Sequence, residues 1–328
     1  MLRFWCSCCL VAAMLVAASQ AWAGKVLVIE SYHPGFSWDA SYLRGLREVL
    51  APDHEIRTFA MDTKRIAVEQ YGKRAAEALA VFREYKPDLV VLGDDNATRL
   101  LAPDLLSTGV PIVFLGLNNN PREYDLYGHP HVAGLMERPL LFQSVNVARK
   151  ICPFPIRRVM FLFDVSETSN LIASDVFRDG ASKELFGIRV DMLQVATIDE
   201  WKDAVQNARK NGYDLIFAGL SQRLQDDDGG CCHDDNMISW TAQHSPVPCL
   251  GLWDFSIGRG KLAAGLVHVG EYQGRAAGNL ARRLLAGERS VSIPLAVEDG
   301  VIMYSRSEAA RQGLVFPEGL AANAVVVE

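Results

Sequence analysis

The sequence predicts an α/β protein made of two lobes, each a doubly wound parallel sheet, joined by hinge strands. Short β-branched runs alternate with amphipathic helical patterns, which is the order of a parallel sheet covered by helices. This alternation runs once, is interrupted by a loop rich in Asn and Pro at residues 118–130, and then starts again. A single TIM barrel is the alternative, but it is not expected to contain a loop-rich interruption halfway.

The first series predicts four strands, of which the last two are continuous apolar runs. The strands are expected at residues 25–30, 55–61, 88–93 and 110–117, with helices after the first strand and at 66–85. The runs DLVVLG and VPIVFLGL have no polar alternation. Strands that are buried on both faces of a parallel sheet have this pattern, because helices cover each side.

The second series repeats the pattern and is followed by a segment that crosses back. Strands are expected at 158–164, 188–195, 213–220 and 247–254, helices at 170–186, 198–211 and 270–288, and short strands at 291–297 and 301–304. Because the chain continues well beyond the second series, several hinge connections are expected. The first lobe is predicted to contain residues 24–138 plus about 256–290, and the second 139–255 plus about 291–328.

Residues 1–23 have the order of a secretory signal peptide. A basic start at Arg3 precedes a short apolar run and the small-x-small sequence Ala21-Trp22-Ala23. The run is shorter than the ~20 residues of a membrane span. We expect cleavage after Ala23 and a periplasmic mature chain that is not inserted in the membrane. A retained N-terminal anchor is the alternative.

The composition is that of an ordinary globular protein and argues against nucleic-acid binding. The 328 residues are 49% hydrophobic and 22% charged, with a formal net charge of −6. The sequence has no basic stripe that could neutralise phosphates. Nucleic acid is therefore not an expected partner, and neither is an anionic membrane surface.

The segment DDDGGCCHDDN at residues 226–236 combines thiols, an imidazole and carboxylates. Adjacent cysteines do not have the spacing of a tetrahedral zinc site, and no second ligand pair lies nearby in sequence. Cys231 or Cys232 could instead pair with Cys249 or Cys152 in an oxidising compartment. The tract is most simply a solvated loop, and neither a metal nor a cofactor is expected.

The candidate binding residues follow the strands, since ligands of open parallel sheets lie beyond the carboxyl ends of the strands. These residues are Ser31, Tyr32, His33, Phe36, Trp38, Asp94, Asp95, Asn96, Asn118, Asn119, Asp164, Ser166, Ser221, Gln222, Trp253 and Asp254, with Thr168 and Phe255 beside them. Aromatic surfaces with a few carboxylates and amides suit a small organic solute that stacks on rings.

Individual members of this set also have structural interpretations. Asp95 or Asn96 could cap a helix, His33 could be a turn residue and Trp253 could belong to the core. Only the whole set indicates a binding site. The sequence has no G-x-S-x-G elbow, P-loop or H-E-x-x-H motif, so an enzyme is not expected, and an exported hydrolase is the less favoured hypothesis.

Five segments together resemble the ABC transporter substrate-binding family with the type I periplasmic-binding-protein fold. They are SYHPGFSW, KPDLVVLGDDNATR, FLGLNN, WDFSIGRG and QGRAAGNLARRLLAGE, in this order. The resemblance implies a two-lobed clamp that holds a small-molecule solute, delivers it to an ABC permease and does no catalysis. Related domains also act as extracytoplasmic sensors for a membrane histidine kinase or cyclase, so sensing is the alternative. Some relatives bind aromatic amino acids, which implies a stacked, zwitterionic ligand.

Overall fold

The computed structural model describes residues 23–177, 180–226, 236–289 and 300–328. The predicted signal peptide up to Trp22, the Cys231-Cys232 pair and the strand expected at 291–297 lie outside these ranges. Within them, no helix combines the length and the apolar character needed to cross a membrane.

The first sheet has five parallel strands in the order β2-β1-β3-β4-β5. Its elements are β1 (Lys25–Glu30), α1 (Ser37–Leu50), β2 (Glu55–Ala60), α2 (Tyr71–Tyr85), β3 (Leu89–Gly93), α3 (Asp94–Leu106), β4 (Ile112–Leu117) and β5 (Val132–Met136). Strands β3, β4 and β5 are buried along their whole length. The apolar runs therefore form the centre of the sheet, as the sequence predicts.

Among the described residues, the second sheet has eight strands in the order β13-β12-β11-β10-β9-β6-β8-β7. The remaining elements are α4 (Leu141–Ile151), β6 (Arg158–Asp164), α5 (Glu167–Val176), β7 (Ser182–Leu185), β8 (Ile188–Val195), α6 (Ile198–Gln206), β9 (Leu215–Ala218), α7 (Asn236–His244), β10 (Cys249–Trp253), β11 (Ala264–His268), α8 (Gly270–Leu285), β12 (Val301–Ser305), α9 (Arg306–Arg311), α10 (Glu318–Ala321) and β13 (Val325–Val327). Its five central strands, β8-β6-β9-β10-β11, are parallel and repeat the strand order of the first sheet.

The chain passes between the two sheets after β5, after β11 and again before β12. Strand β11 pairs with β10 in the second sheet, whereas the following helix α8 packs against α1 of the first lobe. The second crossing thus lies near residue 269 and not near 256; the lobe boundaries otherwise remain a prediction. His268 Nε2 lies 2.7 Å from the carbonyl oxygen of Arg138, which ties the first two crossings together.

Helices α1 and α8 are in direct backbone contact. A Cβ on Gly274 would lie 1.9 Å from the carbonyl oxygen of Tyr42, and a Cβ on Gly45 would lie 1.9 Å from that of Glu271. Only glycine permits this approach. This contact fixes the position of α1, whose first turn contains Trp38, against α8.

The helix expected at 170–186 is wrong in its second half. Helix α5 ends at Val176, and β7 forms an antiparallel hairpin with β8. The two turn residues, Phe186 and Gly187, have φ values of 55° and 73°. Two successive positive φ values are typical of the two-residue hairpin turn whose twist matches the flanking strands.

Candidate functional site

A small cavity of about 20 Å³ lies between the carboxyl ends of the two sheets. It is lined by Tyr32, Phe36, Trp38, Lys64, Asp94 and Asn118 from the first lobe, Glu137 from the first crossing, and Thr168, Leu220, Trp253 and Phe255 from the second lobe. Apart from Thr168 and Phe255, all of these side chains are buried. The two lobes are therefore closed around the cavity.

Aromatic rings from both lobes form one wall. The Tyr32 and Phe36 rings meet edge to face at 5.0 Å, and the Phe36 ring lies 6.2 Å from that of Phe255 across the cleft. Trp253 and Phe255 are stacked at 6.3 Å with an angle of 19° between their planes. Such rings provide apolar area and specific stacking geometry for a flat or aliphatic body.

Asp94 and Asn118 are polar residues of the cavity lining. Asp94 is the first residue of α3 and has a φ of 66°, a left-handed conformation that Asp tolerates better than most residues. Gly116 leaves the space beside it, since a Cβ there would lie 3.1 Å from Asp94 Oδ1. Asp94 Oδ2 and Asn118 Oδ1 are buried and accept no hydrogen bond from any described residue.

Asp95 holds the loop that carries Asn118. Its carboxylate accepts hydrogen bonds from the backbone N–H groups of Asn118, at 3.0 Å, and Asn119, at 2.9 Å. Burial raises the pKa of Asp95 to about 6, although these two bonds act in the opposite direction. The neighbouring carboxylates Asp94 and Asp95 therefore have different roles, because one faces the cavity and the other supports a loop.

Burial also raises the pKa of Asp94 well above its ordinary value, and the negative charges of Asp39 and Glu137 add to the effect. Burial raises the pKa of Glu137 to about 8. The indole Nε1 of Trp253 donates a hydrogen bond to Glu137 Oε1, which opposes that rise. Glu137 is therefore a carboxyl group that holds its proton near neutral pH.

Lys64 is the cationic side chain of the cavity lining. Its Nζ lies 4.3 Å from the centre of the Tyr32 ring and 4.6 Å from that of Phe36, within the range of cation–π attraction. Burial lowers its pKa, opposed by the charges of Asp164 and Asp94. Nζ forms no ion pair within 4.0 Å with any carboxylate that the structure describes.

Polar contacts at the mouth of the cleft join the two lobes directly. Arg99 Nε of the first lobe lies 3.2 Å from Glu167 Oε1 of the second. Arg223 of the second lobe donates from Nη1 to the carbonyl oxygen of Lys64 at 3.1 Å. We call these two contacts, Arg99–Glu167 and Arg223–Lys64, the interlobe clasp.

Several of the predicted residues meet at the cavity, namely Tyr32, Phe36, Trp38, Asp94, Asn118 and Trp253. Others in the first lobe support the backbone beside it. Ser31 Oγ donates to the Gly93 carbonyl at 2.6 Å and accepts from the Ala97 N–H at 2.8 Å. Asn96 Nδ2 donates to Thr63 Oγ1 at 3.0 Å. Asn119 Nδ2 donates to the Tyr124 hydroxyl at 3.0 Å. His33 lies at the rim, half-buried, with its ring 5.7 Å from that of Phe36.

The predicted residues of the second lobe that lie outside the cavity lining are also bonded locally. Asp164 accepts from Ser169 Oγ at 2.6 Å and from the Arg223 N–H at 3.0 Å, and Ser166 caps α5. Gln222 Oε1 accepts from the Ser221 N–H at 3.2 Å, while Ser221 Oγ is buried without a described partner. Asp254 accepts from the N–H groups of Phe255, at 2.7 Å, and Gly270, at 3.3 Å.

Sequence reasoning missed Lys64, Glu137 and Leu220. Lys64 lies in the charged run Asp62-Thr63-Lys64-Arg65, which has the appearance of a solvated loop. Glu137 directly follows β5, a strand that the sequence analysis does not predict. If β5 had been predicted, Glu137 would have been a candidate binding residue, because it directly follows the end of that strand.

Comparison with known proteins finds similarity in structure alone. No family model and no curated protein matches the chain. An ABC domain from Streptococcus pneumonia, solved in complex with L-Trp, is 17% identical with a TM-score of 0.65, covering 93% of this chain and 100% of its own. A ligand-free, open substrate-binding protein with adhesive properties from Clostridium difficile is 14% identical with a TM-score of 0.63, covering 93% and 99%.

A third similar structure is an ABC transporter solute-binding protein from Bradyrhizobium sp. BTAi1 with bound bis-tris. It is 13% identical with a TM-score of 0.53, over 82% of this chain and 79% of its own. LacI transcriptional regulators are also among the matches. The chain therefore has the type I periplasmic-binding-protein fold, a fold that carries more than one function.

Proposed function

We propose that the chain is an exported binding protein that encloses a small organic solute between its lobes and delivers it to an ABC permease. The observation that carries this proposal is the cavity itself, which residues of both lobes line and close. Asp94 and Asn118 line it, and their Oδ2 and Oδ1 atoms, respectively, are buried acceptors without a described donor. A buried polar atom without a partner costs about 1–3 kcal/mol, so a ligand that supplies donors would stabilise the closed form.

Closure would then be driven by the ligand and only assisted by the clasp. A ligand shifts the equilibrium between open and closed forms by the difference in its affinity for the two. The pair Arg99–Glu167 is partly exposed, with side-chain exposures of 36% and 48%. A pair of this kind contributes about 0.2–1 kcal/mol, which is too little to hold two lobes together. Contacts to an enclosed ligand supply the remainder.

Delivery to a permease is supported by the predicted signal peptide and by the similar structures, which include a solute-binding protein of an ABC transporter. The acidic net charge of −6 argues against the DNA-binding role of the LacI regulators that share the fold. We favour transport over sensing on these grounds.

The test is native mass spectrometry of the mature protein purified without added solute. We expect a fraction of the protein to carry one small molecule, released by mild denaturation and identified by its mass. The same molecule should raise the melting temperature of the stripped protein, since a ligand of the native state stabilises it. Delivery is tested by adding the loaded protein to a candidate permease in proteoliposomes and measuring uptake. Failure to recover or bind any solute would contradict the binding function.

A further inference from the structure

We infer that Gln273 is a positioning residue of the binding site, which holds Asn118 and Glu137 in place without lining the cavity itself. This inference rests on the proposed function, because it names a residue on which the geometry of that same site depends. Gln273 lies in the first turn of α8 and has an exposure of 0%. Its side-chain amide bonds to the backbone of β4 and β5, and each of these strands ends directly before one of the two lining residues.

The first of these bonds is made at a β-bulge. The register of β4 and β5 shifts between Phe114 and Leu117, so that two residues of β4 lie opposite one residue of β5. An extra residue of this kind interrupts the ladder, and its backbone groups then need partners from elsewhere. Gly116 lies in this bulge with a φ of 67°, and its N–H donates to Gln273 Oε1 at 3.1 Å.

Gly116 transmits this restraint to the cavity lining. Its carbonyl oxygen accepts a hydrogen bond from Asn118 Nδ2 at 3.2 Å, and this bond orients the side-chain amide of Asn118. The other atom of that amide, Oδ1, is the buried acceptor of the lining that has no described donor. If the backbone at Gly116 turned away, the orientation of this acceptor would change with it.

The second bond holds the end of β5. Gln273 Nε2 donates to the carbonyl oxygen of Met136 at 3.3 Å, and the next residue is Glu137. Glu137 Oε1 in turn accepts a hydrogen bond from the indole Nε1 of Trp253 in the second lobe. A displacement of the Met136 peptide should therefore loosen the bond between the carboxyl group and the indole.

One planar amide makes both bonds, because it provides an acceptor and a donor at once. Replacing it by an apolar side chain would leave the Gly116 N–H and the Met136 carbonyl without this partner in the interior. Buried backbone groups that lose a partner are destabilised, and the backbone rearranges to find another. The loss of Gln273 should thus displace two lining residues that it does not touch.

The experiment records ¹H–¹⁵N spectra of the stripped, full mature chain without any solute. The tryptophans after residue 23 are Trp38, Trp201, Trp240 and Trp253. The Trp253 indole signal is assigned by its loss in Trp253→Phe, and the side-chain amide signals of Asn118 by their loss in Asn118→Asp. In Gln273→Met, which keeps the length but not the amide, we expect the Trp253 indole proton to move upfield, because its hydrogen bond weakens, and the Asn118 signals to shift.

Two controls separate this effect from a general loss of stability. Trp201 Nε1 donates to Thr241 Oγ1 at 2.8 Å in the second lobe, so the Trp201 signal should not move in Gln273→Met. Leu284→Ala removes a buried apolar side chain from the other end of α8. This variant should have a lower melting temperature but should leave both assigned signals in place.

Gln273→Glu tests the two bonds in a second variant. A protonated carboxyl group can accept from the Gly116 N–H and donate to the Met136 carbonyl, whereas an ionised one can only accept. Compared at the same pH, the Trp253 signal of this variant should match that of the unmodified chain under acidic conditions. It should depart from it as the introduced group ionises.

The inference is overturned if both assigned signals of Gln273→Met coincide with those of the unmodified chain, if the Trp201 signal moves with them, or if Leu284→Ala shifts them equally. If Gln273→Met does not fold, Gln273→Glu decides, and a Trp253 signal that follows the unmodified chain at every pH overturns the inference. A chain that binds no solute would contradict the proposed function without changing these spectra, so the two proposals can fail separately.

Discussion

A solute that carries a positive charge should release a proton from the cavity when it binds, and its affinity should therefore rise with pH. Burial raises the pKa of Glu137 to about 8. A group with this pKa is roughly 90% protonated at pH 7, and a cation bound beside it favours the ionised form. Because the proton must leave for the charges to pair, higher pH favours the complex.

The size of the effect follows from this pKa. If bound Glu137 stays ionised between pH 6 and 8, the association constant should rise about ninefold from pH 6 to 7 and about 50-fold from pH 6 to 8. An alkylamine remains protonated over this range, as a lysine side chain does. At pH 7 nearly one proton should be released for each ligand bound.

Isothermal calorimetry measures both quantities. The affinity for a cationic probe, 2-phenylethylamine, is measured at pH 6, 7 and 8, each in two buffers with different ionisation enthalpies, so that the difference in apparent enthalpy gives the number of protons released. Glu137→Gln is the matched variant, and its affinity should depend much less on pH. An affinity that is constant over this range, or a pH dependence that persists unchanged in Glu137→Gln, would refute the reasoning.

Three further predictions concern neighbouring parts of the molecule. Trp253→Phe keeps a ring but removes the indole donor to Glu137, so the midpoint of the pH dependence should move to higher pH in the same calorimetric series. Arg99→Ala should raise the ligand off-rate less than about fivefold in stopped-flow fluorescence, since the clasp pair is partly exposed; a much larger increase would mean that closure depends on the clasp. Gly274→Ala should lower the free energy of unfolding by about 1–3 kcal/mol in thermal denaturation, because a Cβ would meet the Tyr42 carbonyl at 1.9 Å. Gly72→Ala, on α2 with nothing within 4 Å, should leave that free energy unchanged or raise it by up to about 1 kcal/mol, and equal losses in both would contradict the packing argument.

The central strands could be predicted because their signal is local. Strands β3 and β4 are uninterrupted apolar runs, and burial on both faces leaves no other pattern for them. Strand β7 gave no such signal, since its sequence SKEL is polar and half-exposed and it forms by pairing with β8 across a turn. An edge strand of this kind depends on its partner more than on its own composition.

The site could be predicted only as a region. The rule that ligands lie beyond strand ends identified the loops after β1, β3, β4 and β10, and these loops do meet at the cavity. The rule cannot tell which side chain of a loop faces the cleft. Asp94 and Asp95 are adjacent acids, yet the left-handed backbone at Asp94 and the hydrogen bonds of Asp95 to the 118–119 loop give them different surroundings. Lys64 lines the cleft because its loop places Nζ against the rings of Tyr32 and Phe36. No sequence pattern predicts this contact.

The most direct test of the two-lobed clamp is small-angle X-ray scattering of the stripped protein during titration with its solute. If the lobes close on the ligand, the radius of gyration should fall as the site fills, and the saturated profile should match the closed arrangement described above. A ligand that binds with full occupancy while the scattering profile stays constant would contradict the account.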